Sequence, residues 1–301
     1  MRAMIRYLAA AAFAAIVPCA HAALNVFATL PEWGALVQQI GGDKVRVYTA
    51  TNALQDPHHV EAKPSLIARA RSADLVVATG AELEVGWLPL VLQQSGNSRV
   101  QPGTPGYFEA ASAVPLLGKP TRLDRAEGDV HPQGDPHIQT DPRNIARVAA
   151  ALVERMAQVD PADAATFRAN YQQFSLKWNA AVARWTQQAA PLKGMAIVVQ
   201  HKGFTYLEAW LGLKEVVALE PKPGMEPTTS HLAEVLETLK GSPAKMILRA
   251  AYLSDRPSQW LSERAHIPVV ALPFTVGGDD QAKDLFSLFD DTLQRLLKAA
   301  S

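Results

Sequence analysis

Leu75-Val76-Val77-Ala78-Thr79-Gly80 is a short apolar run that ends in glycine. Four consecutive apolar residues without polar alternation suit a strand covered on both faces, the condition of a strand inside a parallel sheet. Working outward, residues 24–30 and the β-branched segment 45–51 read as strands of the same sheet. Pro31 opens a helix ending near Gly41-Gly42, and a second helix runs from Ser65 to Ala73. The later half repeats the alternation, with strand signals at 195–200, 216–219, 245–248 and 268–272 separated by segments of helical period. Strands that alternate with helices predict parallel α/β architecture.

Between the halves lies a polar, Gly- and Pro-bearing stretch, 124–141, and then a long helical region to about residue 190. Asp160-Pro161 interrupts it, which predicts a helix start at Pro161 with Asp160 as its N-cap. The expected fold class is α/β: two parallel-sheet lobes joined by a long helix. The expected division is a leader at 1–22, an N-terminal lobe at 23–140, a linking helical region at 141–190 and a C-terminal lobe at 191–301. A cleft between such lobes is where ligands bind, beyond the carboxyl ends of the strands.

Arg2 and Arg6 precede an apolar run from Tyr7 to Pro18, and Ala20-His21-Ala22 gives the small-x-small pattern of a signal-peptidase site. A cleaved secretory signal is therefore expected, since the run falls short of the roughly 20 residues that span a bilayer. Pro18 before Cys19 argues against lipid attachment. Cleavage removes Cys19, the single cysteine, and with it any disulfide or thiolate ligand. The full chain carries 29 basic and 29 acidic residues, and loss of the two leader arginines leaves it slightly acidic. Nucleic acid, which selects basic surfaces, is not an expected partner.

Four segments offer metal donors at strand ends or in the inter-lobe loop: Asp56-Pro57-His58-His59-Val60-Glu61, Gly134-Asp135-Pro136-His137, Val198-Val199-Gln200-His201 and Thr275-Val276-Gly277-Gly278-Asp279-Asp280. Imidazole and carboxylate are both good zinc ligands, and tetrahedral geometry takes four. Taken singly each has an ordinary explanation, because Asp-Pro is turn chemistry and a strand-end histidine can simply bond a carbonyl. Chemistry alone leaves His58 and His59 as alternatives. The joint placement of the four segments is what points to one site.

Several runs together resemble the metal-binding receptors of ABC importers for zinc and manganese. They are Asp56-Pro57-His58 with Lys63-Pro64-Ser65, Ala73-Asp74-Leu75-Val76-Val77 with Gly80 and Leu83-Glu84, Asp135-Pro136-His137 with Asp141-Pro142, and His201 with Phe204, Tyr206 and Gly212-Leu213. The resemblance covers essentially the whole chain after the leader. It implies two α/β lobes on one rigid backbone helix with the metal in the cleft. It also implies His58, His137 and His201 as ligands, with histidine at the third position in zinc receptors and glutamate in manganese receptors. The family's fourth ligand is an aspartate after the last strand. Here the chain departs from the usual Leu-Asp-Pro, because Leu272 is followed by Pro273 and the acids come at Asp279 and Asp280. Of these Asp279 is favoured. Two further departures are Val60 in place of an aromatic residue and the lack of a long histidine-rich loop. His131 is the one histidine in that region, which reads either as a short metal-collecting loop or, the favoured reading, as holding His131 as a solvated loop residue. His231 and His266 are read as structural, and Glu61 and Asp135 as candidates for orienting ligand rings.

The resulting expectation is a periplasmic receptor, monomeric and without enzymatic activity. It would capture Zn²⁺ as its transported ligand and pass it to the membrane permease of an ABC importer, with a periplasmic metal chaperone as a further partner. The alternatives are a receptor for manganese or iron, a secreted zinc-dependent hydrolase, and a structural or adhesive protein that merely contains zinc. The hydrolase would leave the fourth position to water, with Glu61 as base. The sequence has neither a His-Glu-x-x-His run nor a Gly-x-Ser-x-Gly elbow.

Overall fold

The computed structural model describes residues 22–120, 128 and 130–301. The expected leader lies outside these residues apart from Ala22, as does most of the 121–129 segment.

The N-terminal part runs β1 (Leu24–Ala28), α1 (Pro31–Gly41), β2 (Val45–Thr49), α2 (Pro64–Arg71), β3 (Leu75–Ala78), α3 (Leu88–Ser95) and β4 (Tyr107–Glu109). Two long helices follow, α4 (Pro142–Val159) and α5 (Ala164–Gln188). The C-terminal part runs β5 (Ala196–Val199), α6 (Thr205–Leu211), β6 (Lys214–Ala218), α7 (Thr229–Gly241), β7 (Met246–Ala250), α8 (Arg256–Ala265), β8 (Val269–Leu272) and α9 (Leu285–Ala300). Each part builds a four-stranded parallel sheet, ordered β2-β1-β3-β4 in one and β6-β5-β7-β8 in the other. The lobes thus share one strand order. Ala28 stands opposite both Thr49 and Val77, and Val199 opposite both Ala218 and Leu248, so the carboxyl ends of neighbouring strands finish level.

Strand β3 explains the layering. Its four residues are all buried, and because side chains alternate across a strand they enter two different cores. Leu75 and Val77 join a central core, while Val76 and Ala78 join an outer one under α2 and α3. Strand β5 does the same: Ile197 and Val199 face the central core and Val198 an outer core with Leu232, Val235 and Leu261. The central core is continuous through both lobes, with α1, α4, α5 and α9 contributing to it.

Helix α5 holds the lobes together. Its 25 residues span about 37 Å at the α-helical rise. Near its start the Asn170 side chain donates to the carbonyl of Ile40 in α1, and farther along the Trp185 indole donates to Asp290 in α9. Trp178 and Trp185 pack edge to face at 5.2 Å. Phe286 and Phe289 of α9 close around them, at 4.9 Å from Trp178 and 5.3 Å from Trp185.

Two local expectations are corrected. Asp160 caps the end of α4 rather than opening the next helix, and α5 begins at Ala164 after an intervening turn. The Asp160 amide bonds back to Met156, which commits it to the preceding helix. Helix α3 and strand β4 were not read from the sequence.

Candidate metal centre

His58 lies in the loop after β2. The Asp56 carboxylate accepts the His58 backbone amide at 2.9 Å, a turn that holds the loop, and meets the ring Nδ1 at 2.9 Å as well. The buried Trp87 indole also donates to the Pro57 carbonyl. His137 repeats this arrangement after the inter-lobe loop: Asp135 accepts its amide at 2.8 Å and meets Nδ1 at 2.7 Å. Each Asp-Pro-His run is therefore a turn and a ring clamp at once, because one aspartate serves both the backbone and the imidazole.

His201 comes from the end of β5. Its Nδ1 meets Glu220 at 2.8 Å, and Glu220 also accepts the Gly224 amide at 2.8 Å. Glu220 follows β6, which pairs with β5, and its amide bonds to the Gln200 carbonyl. Sheet pairing thus sets this carboxylate beside a histidine 19 residues away.

The three rings converge. Centroid separations are 5.2 Å for His58–His137, 5.7 Å for His58–His201 and 5.3 Å for His137–His201. One ring nitrogen of each lies within 4.8 Å of the others. Since every Nδ1 is engaged by a carboxylate, Nε2 is the donor left over. In all three rings Nε2 is buried and has no hydrogen-bond partner among the described residues. Buried polar atoms are normally satisfied, so three orphaned nitrogens facing one point suit a cation. The ring of Phe274 packs edge-on against His137 at 5.5 Å and closes one side. A cavity of about 420 Å³ lies on another, lined by His131, Asp135, His137 and His201.

Charges are matched to this role. Burial opposes ionisation of Asp56, yet the hydrogen bonds and charge of His58 outweigh it and hold the carboxyl at about 2. Asp135 is lowered as well, with His137 overcoming burial. Such carboxylates remain ionised, and an ionised acceptor fixes the Nδ1–H tautomer that presents a lone pair on Nε2. Burial lowers His137 despite Asp135. At His201 burial also disfavours the charged ring, but Glu220 more than compensates and the net shift is upward.

The fourth predicted donor is elsewhere. Asp279 is paired with Arg295 at 2.7 Å and accepts the Gln281 amide at 2.9 Å, and Asp280 is exposed. Among the described residues neither joins the histidine cluster. The guanidinium and the turn amide compete for the Asp279 carboxylate and hold it away. His59 and Glu61 are exposed. His231 faces the Ala218 carbonyl, and His266 caps α8 with φ of 55°. His131 is not a solvated residue: its ring sits 5.5 Å from that of His58, with Nε2 buried. Burial and the neighbouring His58 and His137 push it down to about 3. Sequence reading missed the clamp by Asp56, although its spacing to His58 matches that of Asp135 to His137. It also missed Glu220, for which no local pattern exists.

Paired parallel-sheet lobes bridged by helix, with histidines from both lobes meeting between them, make a two-lobed α/β protein with a candidate metal site in its cleft. Residues 26–299 match the family described as ZnuA, zinc-uptake complex component A, periplasmic, and the chain belongs to that family. It is 25% identical over 243 residues to the zinc-binding lipoprotein AdcA of Streptococcus pneumoniae, covering 79% of this chain. That alignment takes in 46% of AdcA, so the chain spans about half the length of this relative. It is 21% identical over 266 residues to the manganese ABC transporter substrate-binding lipoprotein PsaA of the same species, covering 87% of this chain and 83% of the relative. Among solved structures, a crystal structure of ZnuA superposes with a TM-score of 0.77 at 23% identity, covering 93% of this chain and all of that one.

Proposed function

We propose that this chain captures Zn²⁺ in the periplasm through Nε2 of His58, His137 and His201 and delivers it to the membrane permease of an ABC importer. The observation that carries this reading is the convergence of three buried, unpartnered imidazole nitrogens, each ring held by a carboxylate on its far side. The relatives include receptors named for zinc and for manganese, and the donor set is the basis for choosing between them. Nitrogen donors in a compact cluster suit four-coordinate zinc, whereas manganese favours oxygen and lies below zinc in general affinity order.

Chelator competition at fixed pH tests this. Zn²⁺ is expected to bind at one tight site and to outcompete Mn²⁺ by several orders of magnitude, and His201→Ala is expected to lose tight binding. His201→Glu, which adds oxygen, should weaken zinc more than manganese. Comparable affinities for the two metals in the unaltered protein would overturn the assignment.

A further inference from the structure

Three histidines leave a tetrahedral ion one donor short, and no carboxylate joins them among the described residues. We propose that His131 supplies the fourth donor, so that the ion is held by four imidazoles, the converging three and one from earlier in the inter-lobe loop. The proposal rests on reading the cluster as a zinc site.

The His131 ring lies 5.5 Å from His58, no farther than His201 does at 5.7 Å. It also lines the cavity that opens beside His137 and His201. The state of its nitrogen matches that position. His131 Nε2 is buried and has no hydrogen-bond partner among the described residues, the condition shared by Nε2 of the other three rings. A buried, unsatisfied imidazole nitrogen is costly to maintain, and a cation shared by all four rings relieves every one of them together.

The loop is built around a tight return. The Gly134 amide bonds to the His131 carbonyl at 3.1 Å, a tight return that brings the chain from His131 back to His137. Gly134 has φ of 126°, and a Cβ there would stand 2.5 Å from the Leu117 carbonyl oxygen. The Asp135 amide bonds to that same carbonyl, and the Tyr206 hydroxyl of the other lobe donates to the Asp135 carbonyl at 2.7 Å. The turn carrying His131 is thus fastened at its base. His131 is not among the three residues whose ring nitrogens all lie within 4.8 Å of one another, and in the proposed site it is the last donor to join.

Charge agrees with this. Four neutral imidazoles leave the ion's two positive charges uncompensated in its inner shell. Asp56, Asp135 and Glu220 surround that shell through the Nδ1 atoms and supply the balancing negative charge. No inner carboxylate is required, which frees Asp279 for Arg295.

The experiment compares the full chain with His131→Ala, His131→Gln, Asp279→Ala and His201→Ala. Zn²⁺ is titrated against a chelator, and Co²⁺ is used as a spectroscopic probe of coordination. Both His131 variants should lose affinity by at least the roughly tenfold that loss of an outer partner already costs. Their Co²⁺ absorption should weaken as water replaces nitrogen, and free imidazole should restore it in His131→Ala. Asp279→Ala should bind as the parent does. If both His131 variants match the parent while His201→Ala loses binding, the fourth donor is not His131 and the zinc reading survives. Equally, a loss in Asp279→Ala matching that in His131→Ala would overturn the four-imidazole set. If His201→Ala also binds normally, the cluster itself is not the site. Thermal melts of the metal-free variants identify any loss that comes from misfolding.

Discussion

At the scale of single residues, the carboxylates behind the rings matter as much as the rings. Glu220→Gln keeps the size of the side chain and a hydrogen-bond acceptor but removes the charge that biases His201 towards Nδ1–H. Outer partners of this kind typically contribute 10–100-fold in metal affinity. Glu220→Gln is therefore expected to weaken zinc binding within about that range, with little change in the melting of the metal-free protein. Chelator competition and calorimetry on the same sample check both halves. The three central histidines were legible because each sits where a strand or loop delivers its side chain to a sheet edge. Asp135 was legible as an orienting acid, whereas Asp56 was passed over for Glu61, whose side chain is exposed. Glu220 was invisible because its proximity to His201 comes from strand pairing, and no sequence spacing encodes that.

At the scale of elements, the start of α4 fixes the height of His137. Asp141 is buried, accepts the Arg143 amide at 2.8 Å as N-cap, and is gripped by the Arg143 guanidinium. Asn144 in the same turn donates to the Ile138 carbonyl and ties the cap to the segment after His137. Removing an N-cap costs about 0.5–2 kcal/mol. Asp141→Ala should lose stability in that range or somewhat more, because the Arg143 pair goes with it, and should bind zinc less tightly as the His137 turn loosens. Asp141→Ser, which still caps, should recover most of the stability in urea melts. Strong elements such as β3, with no polar alternation, could be read from the chain directly. Strand β4 has three residues and is set by pairing with β3, and α3 follows a run of turns, so neither leaves a long periodic trace.

At the scale of the whole molecule, the lobes also meet through a buried acid. Glu32, in the first turn of α1, accepts a hydrogen bond from Thr275, which follows β8. Burial raises its pKa to about 7, with nearby Glu84 adding to the rise and the Thr275 bond opposing it. Its folded value exceeds the ordinary 4.5, so between these values the folded protein keeps a proton that the unfolded chain releases. The contribution is fully present below the lower value and is lost as pH rises through about 7. Each unit of displacement corresponds to about 1.4 kcal/mol. Glu32→Gln mimics the protonated acid at every pH. The stability lost between pH 4.5 and 7 should therefore be smaller in the variant than in the parent by a few kcal/mol. Equal losses in urea melts of the two proteins would count against a proton held at this junction.

Helix α5, clasped by α1 at one end and by the aromatic rings of α9 at the other, has a consequence for time. A receptor whose halves swing apart releases its cargo at the pace of that swing, which for domain motions is microseconds to milliseconds. Here the halves share one continuous core and a spine sealed with tryptophan, so on the proposed function escape of the ion is expected to depend on loops letting go one donor after another. Such a molecule behaves less like a jaw than like a lock. On the proposed function, small local openings would set the ion's residence, and a membrane partner that pulls on a single loop would shorten it without turning either lobe.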